Sequence, residues 1–193
     1  MSYKTYTTEA LVCGSTANNT SDKSFLLFTR DAGMLFASAR SVREERSKQR
    51  YALQDFSHVR ASLVKGKSGW RVGSVEPLGN PFLGALNRTS RTRVSFIFTA
   101  LRRFVHGELA LERAYADAVH LLQKVHLEEP QWQVLQELFL LRLLAELGYI
   151  ASAPSWQGLI SAPTLAEAKD AYDPSVGAAL RKAIERASEV SHL

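Results

Sequence analysis

Residues 40–50 place Arg40, Arg43, Arg46, Lys48 and Arg50 against only two acids, Glu44 and Glu45, and Tyr51 follows at once. Each of these cations can neutralise a phosphate and displace its condensed counterion, giving salt-sensitive affinity without sequence preference. A flanking aromatic adds base stacking, worth roughly 1–3 kcal/mol per base. Lys23 and Arg30 bracket the apolar run that precedes the arm and join the same candidate DNA-binding set. Charge alone leaves this arm level between a phosphate track and a solvated loop. Of the nearby aromatics, Phe36 reads as barrel core, and Tyr51 reads equally as core or surface.

A second basic group, Arg88, Arg91, Arg93, Arg102 and Arg103, meets no acid until Glu108. The first three are candidates to extend the same track. Arg102 and Arg103 fall between apolar positions and read as residues that flank a buried stripe and reach out to water.

Catalytic constellations are missing. No glycine loop of the Walker or Rossmann type occurs; Gly66-Lys67-Ser68-Gly69 lacks the first glycine and leads into a strand. Five histidines are scattered, and His120 and His126, six apart on one helix, point to different faces. The single cysteine, Cys13, excludes an internal disulfide and a cysteine-rich zinc site, and reads as a small buried hydrophobe. The expectation is a protein that is not an enzyme and takes no cofactor and no metal.

The elements that must position the arm are strands. Residues 3–14 alternate, with Tyr6, Ala10 and Val12 on one side; Phe25 to Thr29 and Met34 to Ser41 follow as strands joined at Asp31-Ala32-Gly33. Val59 to Val64 and Trp70 to Val75 are the fourth and fifth. Five short strands in about 75 residues fit a small closed barrel, which periodicity alone cannot separate from an SH3-like one. Glu76 to Pro81 reads as the boundary, after which the pattern is helical. Val94, Ile97, Phe98, Leu101, Phe104 and Val105 recur at three and four. A second helix is predicted over 111–127. A third, opened by Pro130 and closed by Gly148, is apolar nearly all round and forms the centre of the helical part. Residues 152–163 read as a loop, and Asp173-Pro174 caps a last helix to about residue 190. Arg142 in the most apolar helix needs a partner, and Glu146, one turn on, is available.

The chain has 193 residues and a formal charge of +5. Residues 1–80 carry twelve Lys and Arg against seven Asp and Glu, while residues 81–193 carry twelve of each. All the excess positive charge therefore sits with the strands. The start of the chain has no basic-then-apolar signal pattern, and no window approaches the roughly 18 apolar residues of a membrane span. A cytoplasmic, nucleoid-associated protein is expected.

The stretch from Phe25 to Phe56 resembles the RecO family of bacterial recombination mediators. The family pattern runs Phe-Thr, three residues, Gly, a strand ending Ala-Lys-Gly-Ala-Arg, a basic link containing Ser, and Leu-Gln-Pro-Phe. Here the same spacing holds Phe28-Thr29, Gly33, Ala39-Arg40-Ser41-Val42-Arg43, Ser47 and Leu53-Gln54-Asp55-Phe56, with Ser41 in place of Gly and Asp55 in place of Pro. The resemblance takes in the start of the chain and Leu147-Gly148-Tyr149. It implies an OB-fold DNA-binding domain over 1–80 and an all-α domain over 81–193, short after Tyr149 and without the zinc-finger region. It further implies binding of single- and double-stranded DNA and annealing of complementary strands. With RecR, such a protein helps RecA replace single-stranded DNA-binding protein (SSB). Family members hold the acidic, Phe-terminated SSB tail on the helical domain; Phe139 and Arg142 are the candidate contacts here. Gln136, Glu137 and Leu138 stand where basic residues often precede that Phe, and a structural ion pair is the other reading of Arg142. A generic nucleic-acid-binding OB module and a protein-interaction adaptor are the alternative functions.

Overall fold

The computed structural model describes residues 5–17, 21–44, 46–47, 49–67 and 69–190. Five strands come first: β1 (Thr5–Ala17), β2 (Lys23–Thr29), β3 (Gly33–Ala39), β4 (His58–Gly66) and β5 (Gly69–Gly79), with a four-residue helix α1 (Gln49–Ala52) between β3 and β4. They form a closed barrel in the order β1-β2-β3-β5-β4. All pairings are antiparallel except β3 with β5, which is parallel through Ala37↔Trp70 and Ser38↔Arg71. This is OB-fold topology. β1 makes it possible: at 13 residues it is long enough to pair β2 along one edge and β4 along the other.

Alternation fills the barrel. Val12, Phe25, Leu27, Leu35, Val59 and Leu63 point inward and are buried, each contributing roughly 1.5–3 kcal/mol by leaving water. Three sequence expectations need correction. Phe36 is 63% exposed, because Leu35 and Ala37 take the two inward positions around it. Tyr6 is 41% exposed, while Leu11, on the side opposite Val12, is buried as well. β5 continues to Gly79, so Glu76 to Gly79 is strand; Pro77 is accommodated opposite Val59, where the β4–β5 register shifts.

Cys13 marks a bulge, where the register skips from Val12 to Gly14. Its thiol is buried and pushed up to about 12 by that burial.

Helix α2 (Arg88–Phe104) begins at Asn87, whose side chain accepts from Ser90 N–H at 2.8 Å. Its apolar stripe lies on the barrel: Phe98 meets Phe56 edge-on at 5.1 Å, and α2 packs on β1. The chain divides into two compact units, 1–111 and 112–193. The change of texture at residue 80 and the change of compact unit at residue 111 are thus separate events, with α2 in the barrel unit.

The second unit holds α3 (Glu112–Gln123), α4 (Glu129–Glu146), α5 (Gln157–Ser161), α6 (Leu165–Asp170) and α7 (Gly177–Val190). α4 touches each of the other four, as its all-round apolar surface requires. It closes on Gly148 at φ +81°, with Tyr149 N–H donating to Leu144 O at 2.8 Å and Gly148 N–H to Ala145 O at 3.0 Å, a Schellman cap. Asp173 caps a 3-10 turn, Pro174–Val176, that leads into α7. The segment predicted as loop over 152–163 contains α5. Among the described residues no helix is long and apolar enough to cross a membrane.

Candidate nucleic-acid interface

The β2–β3 hairpin is locked by one hydroxyl. Thr29 Oγ1 donates to Gly33 O at 2.9 Å and accepts from Ala32 N–H at 3.1 Å. The Phe-Thr-x3-Gly spacing is therefore a turn-closing device. Gly33 itself is at φ +68°, and a Cβ there would run into the backbone of Leu109. β3 then delivers the chain to Ser41, which sits at φ +51°, with its N–H on Asp22 Oδ1 at 2.8 Å. The position that the family gives to glycine needs a left-handed backbone, and Ser41 adopts it at a cost.

From there the basic arm is pinned at both ends. Val42 is 2% and Leu53 4% exposed, both in the barrel core cluster. Gln49 Nε2 donates to Gly73 O at 2.9 Å and ties α1 to β5. Phe56, at φ +70°, ends the arm by stacking on Phe82 at 4.7 Å. Arg40 just before the first anchor, and Arg43, Arg46 and Arg50 between them, are exposed, as is Tyr51 at 65%, with the Arg50 guanidinium 5.4 Å from its ring centroid. Lys48 and Glu45 lie outside the described residues.

The anchoring gathers cations that are distant in sequence. Lys23, Arg43 and Arg50 line one pocket of about 220 Å³ whose floor is Phe25, Val42 and Leu53. Arg40 lines a second with Gln49 and Arg71. Sequence reasoning missed Arg71. Its signal is the parallel β3–β5 pairing that sets it beside Ser38, and no local pattern announces such a pairing.

Other candidates separate. Arg30 is exposed at the far end of β2, about 20 Å along the strand from Lys23. Arg88 and Arg91 are exposed on the first turns of α2, with Arg91 over the Phe82 ring at 5.8 Å. Arg93 is only 7% exposed, so it belongs to the packed side of α2 and not to an outer track. Arg102 and Arg103 flank the buried Leu101 and Phe104 as expected; Arg102 Nη1 donates to Cys13 O at 3.3 Å.

In the helical unit Arg142 follows its ion-pair reading, with a partner other than Glu146, and Phe139 lies in the core. Phe139 is 0% and Arg142 1% exposed, so neither offers a surface to a partner's tail. Arg142 pairs with Asp117 of α3, not with Glu146: Nε donates to Asp117 Oδ2 at 2.6 Å, and Nη1 donates to Leu159 O at 2.9 Å and Ala162 O at 2.8 Å. Glu146 instead accepts from Ala114 N–H at 3.0 Å, satisfying a donor in the first turn of α3. Burial pushes the Asp117 carboxyl up, against the pull of Arg142.

Residues 1–80 match the family model described as "Recombination protein O N terminal". Two curated relatives, the "DNA repair protein RecO" of Desulfitobacterium hafniense strains DSM 10664 / DCB-2 and Y51, are each 39% identical over 72 residues. That match covers 37% of this chain and 26% of each relative, so the chain spans about a quarter of their length. The barrel of this chain, residues 1–80, is thus similar to the N-terminal domain of RecO proteins.

Proposed function

We propose that the protein is a RecO-like recombination mediator. The observation that carries the reading is the convergence of Lys23, Arg43 and Arg50 on one pocket, at the foot of an arm anchored by Val42 and Leu53. A merely solvated loop needs no such anchors, whereas a phosphate track gains from cations whose ordering entropy is already spent. On this reading the arm binds the backbones of single- and double-stranded DNA, and Arg88 and Arg91 extend the track. Positive charge offsets repulsion between two phosphate backbones, so complementary strands anneal. With RecR the protein helps RecA replace SSB on a single strand. The action is non-covalent, without catalysis, and is carried out at the nucleoid. Phe139 and Arg142, being buried, take no part in it.

The test is annealing of two complementary strands by the wild type and by Arg43→Ala/Arg46→Ala/Arg50→Ala across a salt series. The variant should lose annealing, and its single-strand salt slope should be shallower by about 0.7 for each phosphate no longer neutralised. Equal annealing would move the DNA-binding surface away from the arm. Binding to RecR separates a mediator from a generic OB module. The exposed Leu83 and Leu86, at 67% and 83%, favour a protein-interaction adaptor as the second reading, and a wild type that binds no DNA would leave that one standing.

A further inference from the structure

The barrel carries a second surface whose chemistry differs from that of the arm. The exposed Phe36 shares a cavity of about 450 Å³ with Leu26, Trp70, Arg102 and Glu108. Trp70 is held by Tyr6, edge-on at 5.5 Å, and Lys65 Nζ lies 5.0 Å from its ring centroid. Its indole Nε1–H is buried without an acceptor in hydrogen-bonding geometry.

Glu108 occupies the cationic end of this cavity, where Lys65 Nζ donates to its Oε2 at 2.7 Å. It is brought there by backbone: Met34 N–H donates to Gly107 O at 3.0 Å, and Gly33 lies against Leu109 too closely to admit a Cβ. Lys65, and after it the Trp70 indole, hold the Glu108 carboxyl below its usual range. Lys65 and Glu108 are each about half exposed, at 54% and 45%, and an ion pair so open to water is weak enough for another anion to replace the carboxylate.

An exposed phenyl ring, a partly buried indole, and an ammonium borrowed by a carboxylate together match one unpaired nucleotide. We propose that this cavity takes a base of single-stranded DNA against Phe36 and Trp70, and that Glu108 is an internal competitor for the phosphate position on Lys65. The inference rests on the DNA reading above and adds to it a selection between strand states. The phosphate track of the arm serves either form, because both present phosphates. A base in a duplex is already stacked and paired and cannot enter the cavity.

The experiment uses the full chain and fluorescein-labelled probes of one length: oligo(dT), an abasic deoxyribose-phosphate oligomer, and a duplex. Phe36→Ala should weaken oligo(dT) binding about tenfold, within the range of a single base stack, and Phe36→Tyr should restore it. Glu108→Gln should tighten oligo(dT) several-fold and leave the duplex unchanged. With Trp132→Phe/Trp156→Phe, Trp70 is the sole indole, and oligo(dT) but not the abasic oligomer should quench it. Phe36 is exposed, so thermal midpoints should not move. If Phe36→Ala and Glu108→Gln leave oligo(dT) binding unchanged while the arm variant abolishes it, the inference is overturned and the DNA reading survives. An equal gain of Glu108→Gln on duplex is a general charge effect and also overturns it. A wild type that binds none of the probes removes both.

Discussion

Arg142 Nε donates to Asp117 Oδ2 across 2.6 Å, with both side chains almost wholly removed from water. The same guanidinium reaches the carbonyls of Leu159, Ile160 and Ala162, so one residue of α4 ties α3 to the end of α5. Asp117→Ala leaves a buried cation unpaired and should cost about 3–5 kcal/mol in urea unfolding. The double variant Arg142→Met/Asp117→Leu should recover much of that loss, since no charge is stranded. A double variant as unstable as the single one would show that the carbonyl hydrogen bonds, and not the ion pair, dominate.

Two positions in the hairpin and arm should respond in opposite directions. Ser41 holds a left-handed backbone, so Ser41→Gly should raise stability by roughly 1 kcal/mol. Gly33→Ala should destabilise by more than about 2 kcal/mol, because backbone strain adds to a collision with Leu109. Gly69→Ala is the control: φ is +105° but the space is open, so only strain is felt. Thermal midpoints of the three variants check the ordering.

Arg71 and Arg30 discriminate the gathered cations from the scattered ones. Arg71→Ala should reduce the single-strand salt slope by about 0.7, as an arm residue does. Arg30→Ala, at the far end of β2, should leave it unchanged. Equal effects would mean that the basic surface acts through its overall field and not through the pockets.

Acid should loosen the fold partly through two histidines. His58 and His120 are held below the ordinary histidine range, first by burial. The unfolded chain therefore binds their protons more readily, near pH 6.5. Their contribution is complete above about that value and is lost as pH falls through the lower folded values. Glu9 opposes this at His58 and Asp117 at His120, so the loss is partial. Asp117 and Glu146, pushed up by burial, work in the other direction as pH falls. The readout is therefore the difference between parent and His58→Gln/His120→Gln in urea midpoint from about pH 7.5 to 5. The double variant should show the flatter acid limb, and parallel curves would remove the histidines from the account.

Much of the architecture was legible because it is written in local rules. Alternation marked the strands, the three-and-four spacing marked α2, and Gly148 and Asp173 announced helix ends, since each of these depends only on neighbours along the chain. The Phe28-Thr29, Gly33 and Leu53-Gln54-Asp55-Phe56 spacing carried the resemblance to RecO proteins, because a hairpin lock and a pinned arm demand fixed residues at fixed distances. Alternation could not say which aromatics face out: the phase that turns Phe36 to solvent is set by Leu35 and Ala37 meeting the core. Nor could it find Arg71, which reaches Arg40 only through the parallel closure of β3 on β5. Arg142 was visible as a residue that needs a partner, but helix geometry offered Glu146, one turn away, whereas packing supplied Asp117 from another helix. The sequence determined the elements, the charge and the likeness of the barrel to the N-terminal domain of RecO proteins. The tertiary structure decided which cations share a pocket and which charged groups are buried, because both depend on proximity between residues that no spacing rule connects.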